Sequence, residues 1–103
     1  MLDVVNIDDI KQYMRVDYPD EDETINNLLQ GAQVICKDIA RLSSADWDNL
    51  VSTDTDELKE LKNQLKVAVL YAVSYLSEHR EEANHHELNL TLRSLLFAIR
   101  EGF

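Results

Sequence analysis

The chain contains only two glycines and one proline among its 103 residues. An all-β fold needs frequent tight turns, and glycine and proline supply much of the backbone geometry that such turns require. Apolar residues instead recur at spacings of three and four, the period of an amphipathic helix. The sequence therefore predicts an all-α protein, and its length fits a single helical domain over residues 1–103.

The charge of the chain is strongly asymmetric. Residues 1–57 carry 14 acidic and 4 basic side chains, whereas residues 58–103 carry 6 of each. Proteins that bind nucleic acids or anionic membranes use clustered lysine and arginine. The acidic half of this chain has the opposite charge, so we expect no tight binding to either. The nearly uncharged apolar run over residues 65–76 is shorter than the ~20 residues that span a bilayer. No secretory leader is visible, and one cysteine fits a reducing cytoplasm.

Two helices are predicted in the acidic half. Asn6 can cap a short first helix over residues 7–15. The acidic run at 17–23 suits the positive end of a helix dipole, and a second helix then continues to about Leu42. Gly31 lies inside this second helix, where it could permit a close helix crossing or simply be tolerated.

The remaining sequence predicts a linker and two further helices. Residues 43–56 have a polar composition, with Trp47 available to dock one turn onto the core. A third helix of roughly 40 Å should begin near Thr53 or Asp54 and end near Arg80. Asn89 can cap a fourth. The predicted architecture is a small bundle of four helices with a long central third helix.

The predicted core joins the second and third helices. Five residues of the third helix should be buried: Leu65, Ala68, Val69, Ala72 and Leu76. They should pack on five apolar residues of the second: Ile25, Leu28, Leu29, Ile35 and Ile39.

Candidate catalytic and metal-ligating residues are few. His79, His85 and His86 lie close together in sequence, but they match no zinc-ligand spacing, and Cys36 lies on another predicted helix. The acidic run at 17–23 lacks the glycine that an EF-hand calcium loop requires. We therefore predict no metal, no cofactor and no enzyme. A metal-dependent enzyme built on the histidines is the least favoured alternative.

Three segments, in the same order along the chain, resemble one protein family. Residues 5–17 are similar to the opening helix of the head–tail connector (adaptor) proteins of long-tailed phages and prophages, which ends in an aromatic, an aliphatic, Arg, an aliphatic and Asp. Residues 65–81 resemble the apolar, alanine-containing helix of that family, and residues 92–100 its leucine-rich terminal helix. Asn89 departs from the pattern, since the family often has a proline before its last helix.

The resemblance implies a structural protein of the virion neck, present in the host cytoplasm before assembly. Copies would form a ring below the portal protein, joining the DNA-filled capsid to the tail or to a stopper protein. Candidate contacts between neighbouring copies are Trp47, Tyr71 and Tyr75. Candidate portal contacts are Arg93, Arg100 and Phe103, which lie in or beside the last matching segment.

An acidic helical domain also suits a different class of protein. The rival interpretation is a small regulatory or protein-interaction module, monomeric or dimeric, whose acidic surface could mimic DNA. Neighbouring portal, terminase and capsid genes would favour the connector over this module.

Overall fold

The computed structural model describes residues 2–14, 22–53, 55–79 and 86–102. Within these ranges the chain forms six helices and no strand. The helices are α1 (Ile7–Met14), α2 (Asp22–Ala40), α3 (Ser44–Ser52), α4 (Asp56–Glu78), α5 (His86–Leu95) and α6 (Phe97–Gly102). The prediction of an all-α protein is confirmed, whereas the prediction of four helices is wrong.

The first additional helix, α3, lies inside the predicted polar linker. Ser43 caps it, because the Ser43 Oγ accepts a hydrogen bond from the Asp46 backbone N–H at 3.1 Å. Trp47, Leu50 and Val51 follow at helical spacing, and all three are buried. A short capped helix with one apolar face therefore replaces the single docked turn.

The second additional helix arises because the predicted last helix is divided. The first part, α5, begins at His86, three residues before the predicted cap. Asn89 therefore lies exposed inside α5 and does not cap it. A turn at Leu96 then separates α5 from α6. Leu88 and Ile99 are both fully buried, so the apolar face continues across the break.

Helix α1 begins with a reciprocal cap, as Asn6 predicted. The Asn6 Oδ1 accepts from the Asp9 backbone N–H at 2.8 Å, and the Asp9 Oδ2 accepts from the Asn6 N–H at 3.2 Å. Lys11 Nζ then pairs with Asp22 Oδ1 at 2.9 Å, which joins α1 to the start of α2. The hydrogen bond to Asp22 raises the pKa of Lys11.

Helix α4 is the central element, as the sequence predicts, and contacts α1, α2, α3 and α5. Its 23 residues span about 35 Å. Leu65, Ala68, Val69 and Ala72 are fully buried, which confirms that part of the predicted core, but Leu76 is only half-buried. No helix of the described ranges is long and apolar enough to cross a membrane.

The packing partners predicted on α2 divide in the same way. Ile25 and Leu29 are buried, while three residues pack against the core at its margin: Leu28, Ile35 and Ile39. Gly31 lies on the exposed side of α2, and a Cβ built there would meet nothing within 4 Å. This glycine is therefore tolerated and permits no close helix crossing.

The segment before α1 is held by two buried polar side chains. Gln33, which is completely buried, accepts a hydrogen bond from the Val4 N–H at 2.8 Å and donates one to Asp3 Oδ1 at 3.0 Å. The Trp47 indole N–H donates to the Leu2 carbonyl oxygen at 2.7 Å. The segment is thereby fixed across α2 and α3.

Candidate interaction surfaces

The candidate subunit contacts occupy two different environments. Tyr71 and Tyr75 are half-buried on α4, so part of each ring is available to another molecule. Trp47 is fully buried, and its indole is committed to the core and to Leu2. A neighbouring copy could reach α3 only through the exposed residues beside Trp47.

The last turn of α4 is closed by an aromatic pair. The rings of Tyr75 and His79 stack with centroids 4.0 Å apart and planes 16° from parallel. His79 Nδ1 lies 3.0 Å from the Tyr75 carbonyl oxygen, and the His79 backbone N–H donates to the same oxygen. Because a carbonyl oxygen only accepts, this contact requires the Nδ1–H tautomer. His79 thus caps the helix.

The other candidate metal ligands lie apart from one another in the described part of the chain. His86 is exposed at the start of α5, and His85 lies outside the described residues. No group of three or more histidine, cysteine, aspartate or glutamate side chains in the described ranges is placed to hold a metal ion. Cys36 is completely buried on α2, and burial raises the pKa of its thiol to about 12. At neutral pH Cys36 is therefore a protonated core residue.

Three arginines line one open cavity of about 230 Å³. Arg93 comes from α5, Arg100 from α6, and Arg41 follows the last residue of α2. Among the described residues, Asp38 and Ile39 also line this cavity. The Arg100 Nε is shielded from solvent and has no hydrogen-bond acceptor among the described residues. Two of these arginines are candidate portal contacts, whereas Phe103 lies outside the described residues.

Arg41 adopts a backbone conformation that normally favours glycine. Its φ is 59°, and it ends α2 in a Schellman motif, in which the Arg41 N–H donates to the Asp38 carbonyl at 3.2 Å and the Leu42 N–H to the Lys37 carbonyl at 3.1 Å. A side chain in this left-handed region costs about 1–2 kcal/mol. A glycine at this position would avoid that cost.

A second basic cavity lies along the first half of α4. Lys59, Lys62 and Lys66 recur at spacings of three and four and line an open cavity of about 260 Å³. Asp56 also lines it, so the lysines have an acidic side chain nearby. These lysines provide a positively charged surface that shares no described lining residue with the arginine cavity.

An apolar groove lies between α4 and the end of α5. Val67 and Leu95 provide its apolar lining, Asn63 and Gln64 border it, and its volume is about 210 Å³. Val67 is 50% exposed, and Phe97, two residues after Leu95, is 62% exposed. Contiguous apolar surface, such as that formed by Val67 and Leu95, is the kind that contact surfaces use, whereas single exposed apolar residues are common.

Sequence reasoning found Arg93 and Arg100 but missed Arg41 and the lysine face. The lysine spacing was readable, because residues 59, 62 and 66 share one helix face. Arg41 gave no comparable signal, since its proximity to Arg93 and Arg100 depends on how α5 and α6 return to the end of α2.

Comparison with known families identifies the chain. The model of one family, described as phage gp6-like head-tail connector protein, matches residues 5–101. No curated protein and no solved structure matches the chain significantly. The match confirms the resemblance drawn from the three segments, and the family is a structural class of virion protein, not a class of enzyme. Its members connect virion head and tail proteins. The chain therefore belongs to the phage gp6-like head-tail connector family and is a structural component of the virion.

Proposed function

We propose that copies of this chain form a ring below the portal protein and join the DNA-filled capsid to the tail or to a stopper protein. The observation that carries the proposal is the family match over residues 5–101, nearly the whole chain. Each copy would contribute one domain spanning residues 1–103. Assembly would take place in the host cytoplasm, and the finished ring would lie in the virion neck.

Neighbouring copies would meet through the exposed parts of α3 and α4. Tyr71 and Tyr75 offer partly exposed aromatic rings, and the groove at Val67 adds an apolar surface on the same helix. Trp47 would contribute by supporting α3 from the core, because its own ring is buried. Contacts between different patches on successive copies are heterologous, and a heterologous contact that closes on itself forms a ring.

The C-terminal helices would face the portal. Arg93 is exposed on α5, Arg100 lines the arginine cavity, and Phe103 follows α6 directly. This surface supplies positive charge on a chain whose net charge is −10. Positive patches steer association with negative partners, so the arginines are suited to a specific protein contact.

The acidic half of the chain would keep passing DNA from binding. Asp8, Asp22 and Glu23 are exposed at the starts of α1 and α2. A channel lined by such side chains repels phosphates, because binding to DNA depends on neutralising them with cations. Charge on this scale also opposes ring closure without a partner.

Native mass spectrometry across protein concentration tests the assembly. We expect mainly monomer alone at low salt, and larger closed assemblies at higher salt or with the portal, because screening shortens the Debye length from about 10 Å at 0.1 M to about 3 Å at 1 M. A protein that remains monomeric with the portal present would contradict the ring.

Genetic complementation tests the portal contact. A phage lacking the gene should be rescued by the wild-type chain but poorly by Arg100→Glu or Phe103→Ala. Lys62→Glu, which makes the same charge change on the lysine face, is the matched control and should rescue normally. Normal rescue by both C-terminal variants would show that Arg100 and Phe103 do not form the proposed portal contact. Binding of the wild type to a host protein, without rescue, would favour the regulatory module.

A further inference from the structure

One cavity on this strongly acidic chain is lined by three arginines, Arg41, Arg93 and Arg100. No ion pair within the described ranges involves any of the three, and the Arg100 Nε has no acceptor there. Like charges brought together repel one another, so a cluster of this kind gains stability when an anion occupies it. Arg41 also adopts a left-handed backbone conformation that is unfavourable for a residue with a side chain.

We propose that this cavity binds clustered carboxylates on an acidic segment of the portal protein. The inference rests on the proposed function for the identity of the partner and adds the chemistry of the contact. A guanidinium presents a planar set of N–H donors that matches a carboxylate in a bidentate geometry. Three arginines can therefore hold two or more carboxylates that follow one another on a peptide.

The lining of the cavity favours a protein partner over a nucleic acid. Asp38 lies beside the arginines and would repel the continuous phosphates of a duplex, whereas a peptide can place its carboxylates clear of it. Ile39 adds an apolar wall, which suits an acidic segment that also carries an aliphatic side chain. The surrounding net charge of −10 further disfavours DNA.

The acidic end of a second copy is a less suitable occupant. Two of its carboxylates already have partners within the chain, since Asp9 caps α1 and Asp22 pairs with Lys11. Docking through Asp9 or Asp22 would require those interactions to be exchanged. Repulsion between two chains that each carry a net charge of −10 also opposes this occupant.

The carboxylate chemistry is tested by NMR titration of the ¹⁵N-labelled protein with a hexaglutamate peptide. We expect saturable shifts of the Nε–Hε signals of all three arginines, and a roughly tenfold weaker affinity for Arg93→Gln, since each charge-assisted bond accounts for about that factor. Lys62→Gln removes the same charge elsewhere and should bind like the wild type. Tighter binding of inorganic phosphate or of an oligonucleotide, at equal ionic strength, would overturn the assignment.

Arg41→Gly separates binding from folding. Glycine is the preferred residue at this helix end, so the variant should melt at a higher temperature than the wild type while binding hexaglutamate more weakly. Unchanged affinity for the peptide would exclude Arg41 from the site. A loss of binding caused by unfolding is excluded by the same melting curve.

The partner is tested with the purified portal encoded by the same genome. Wild type and Lys62→Gln should bind it equally, and Arg93→Gln about tenfold more weakly. Equal portal binding by wild type and Arg93→Gln would overturn the inference but leave the proposed function intact. Absence of any wild-type binding would count against the proposed function itself. Loss of self-association in Arg93→Gln, with portal binding unchanged, would assign the cavity to a second copy and refute the portal as occupant.

Discussion

Gln33→Met tests the buried polar contact that fixes the segment before α1. Methionine has nearly the shape of glutamine but accepts no comparable hydrogen bond, so the Val4 N–H would lose the acceptor it now has at 2.8 Å. Leaving a buried donor unsatisfied costs about 1–3 kcal/mol, and the bond to Asp3 is lost as well. The chain could satisfy the Val4 N–H only by releasing the segment into water. That release would expose Val4 and Val5, which are now 6% and 4% exposed, and is therefore unfavourable.

We expect Gln33→Met to lower the free energy of unfolding by about 2–3 kcal/mol, a large share of the 5–15 kcal/mol typical of a domain. The melting temperature should fall by roughly 10–20 °C. Urea denaturation followed by circular dichroism gives the first value, and hydrogen exchange of the Val4 amide reports the local effect. Gln12→Met, at an exposed position of α1, is the matched control and should change stability by less than about 0.5 kcal/mol. A similarly small change in Gln33→Met, with the Val4 amide still protected, would refute the reasoning.

Three further changes test the core and its surface by denaturation and thiol chemistry. Gly31→Ala should raise the free energy of unfolding by up to about 1 kcal/mol, because the added methyl meets nothing and alanine favours the helix; a loss would place Gly31 in a contact. Ala68→Leu should cost about 1–3 kcal/mol in urea melts, since Ala68 is fully buried; no change would reveal unfilled space. Cys36, whose pKa is raised from 9.0 to about 12, stays protonated when folded but ionises when unfolded, so stability should decline from pH 9 toward 12. Its reaction with a thiol reagent at pH 8 should be slow until urea unfolds the chain, and fast native labelling would show that Cys36 is accessible.

The sequence was most informative where local chemistry and hydrophobic period agree. Asn6 predicted the start of α1 because its cap is formed with Asp9, only three residues away. The buried face of α4 was predicted because a central helix shows its core residues at regular spacing. Both depend on interactions within one helix or on a periodic pattern.

The errors arose where short helices depend on tertiary packing. The segment containing α3 has a polar composition, which favoured a linker. The helix is nevertheless capped by the hydrogen bond between Ser43 and Asp46, and Trp47 is buried behind the cap. The division of the last helix at Leu96 has no glycine or proline to mark it. Arg41 lies near Arg93 and Arg100 only because the end of α2 packs close to α5 and α6. The place of Arg41 depends on contacts distant in sequence, which a pattern within one segment does not contain. The cap of α3, in contrast, joins residues only three apart.

Electron microscopy of particles made by a phage that lacks only this gene tests the central claim most directly. A head-tail connector that joins capsid to tail is required for that junction and not for building either part. We therefore predict that heads and tails accumulate separately, and that the wild-type chain supplied in trans restores joined particles. Normal numbers of joined, infectious particles in its complete absence would contradict the account.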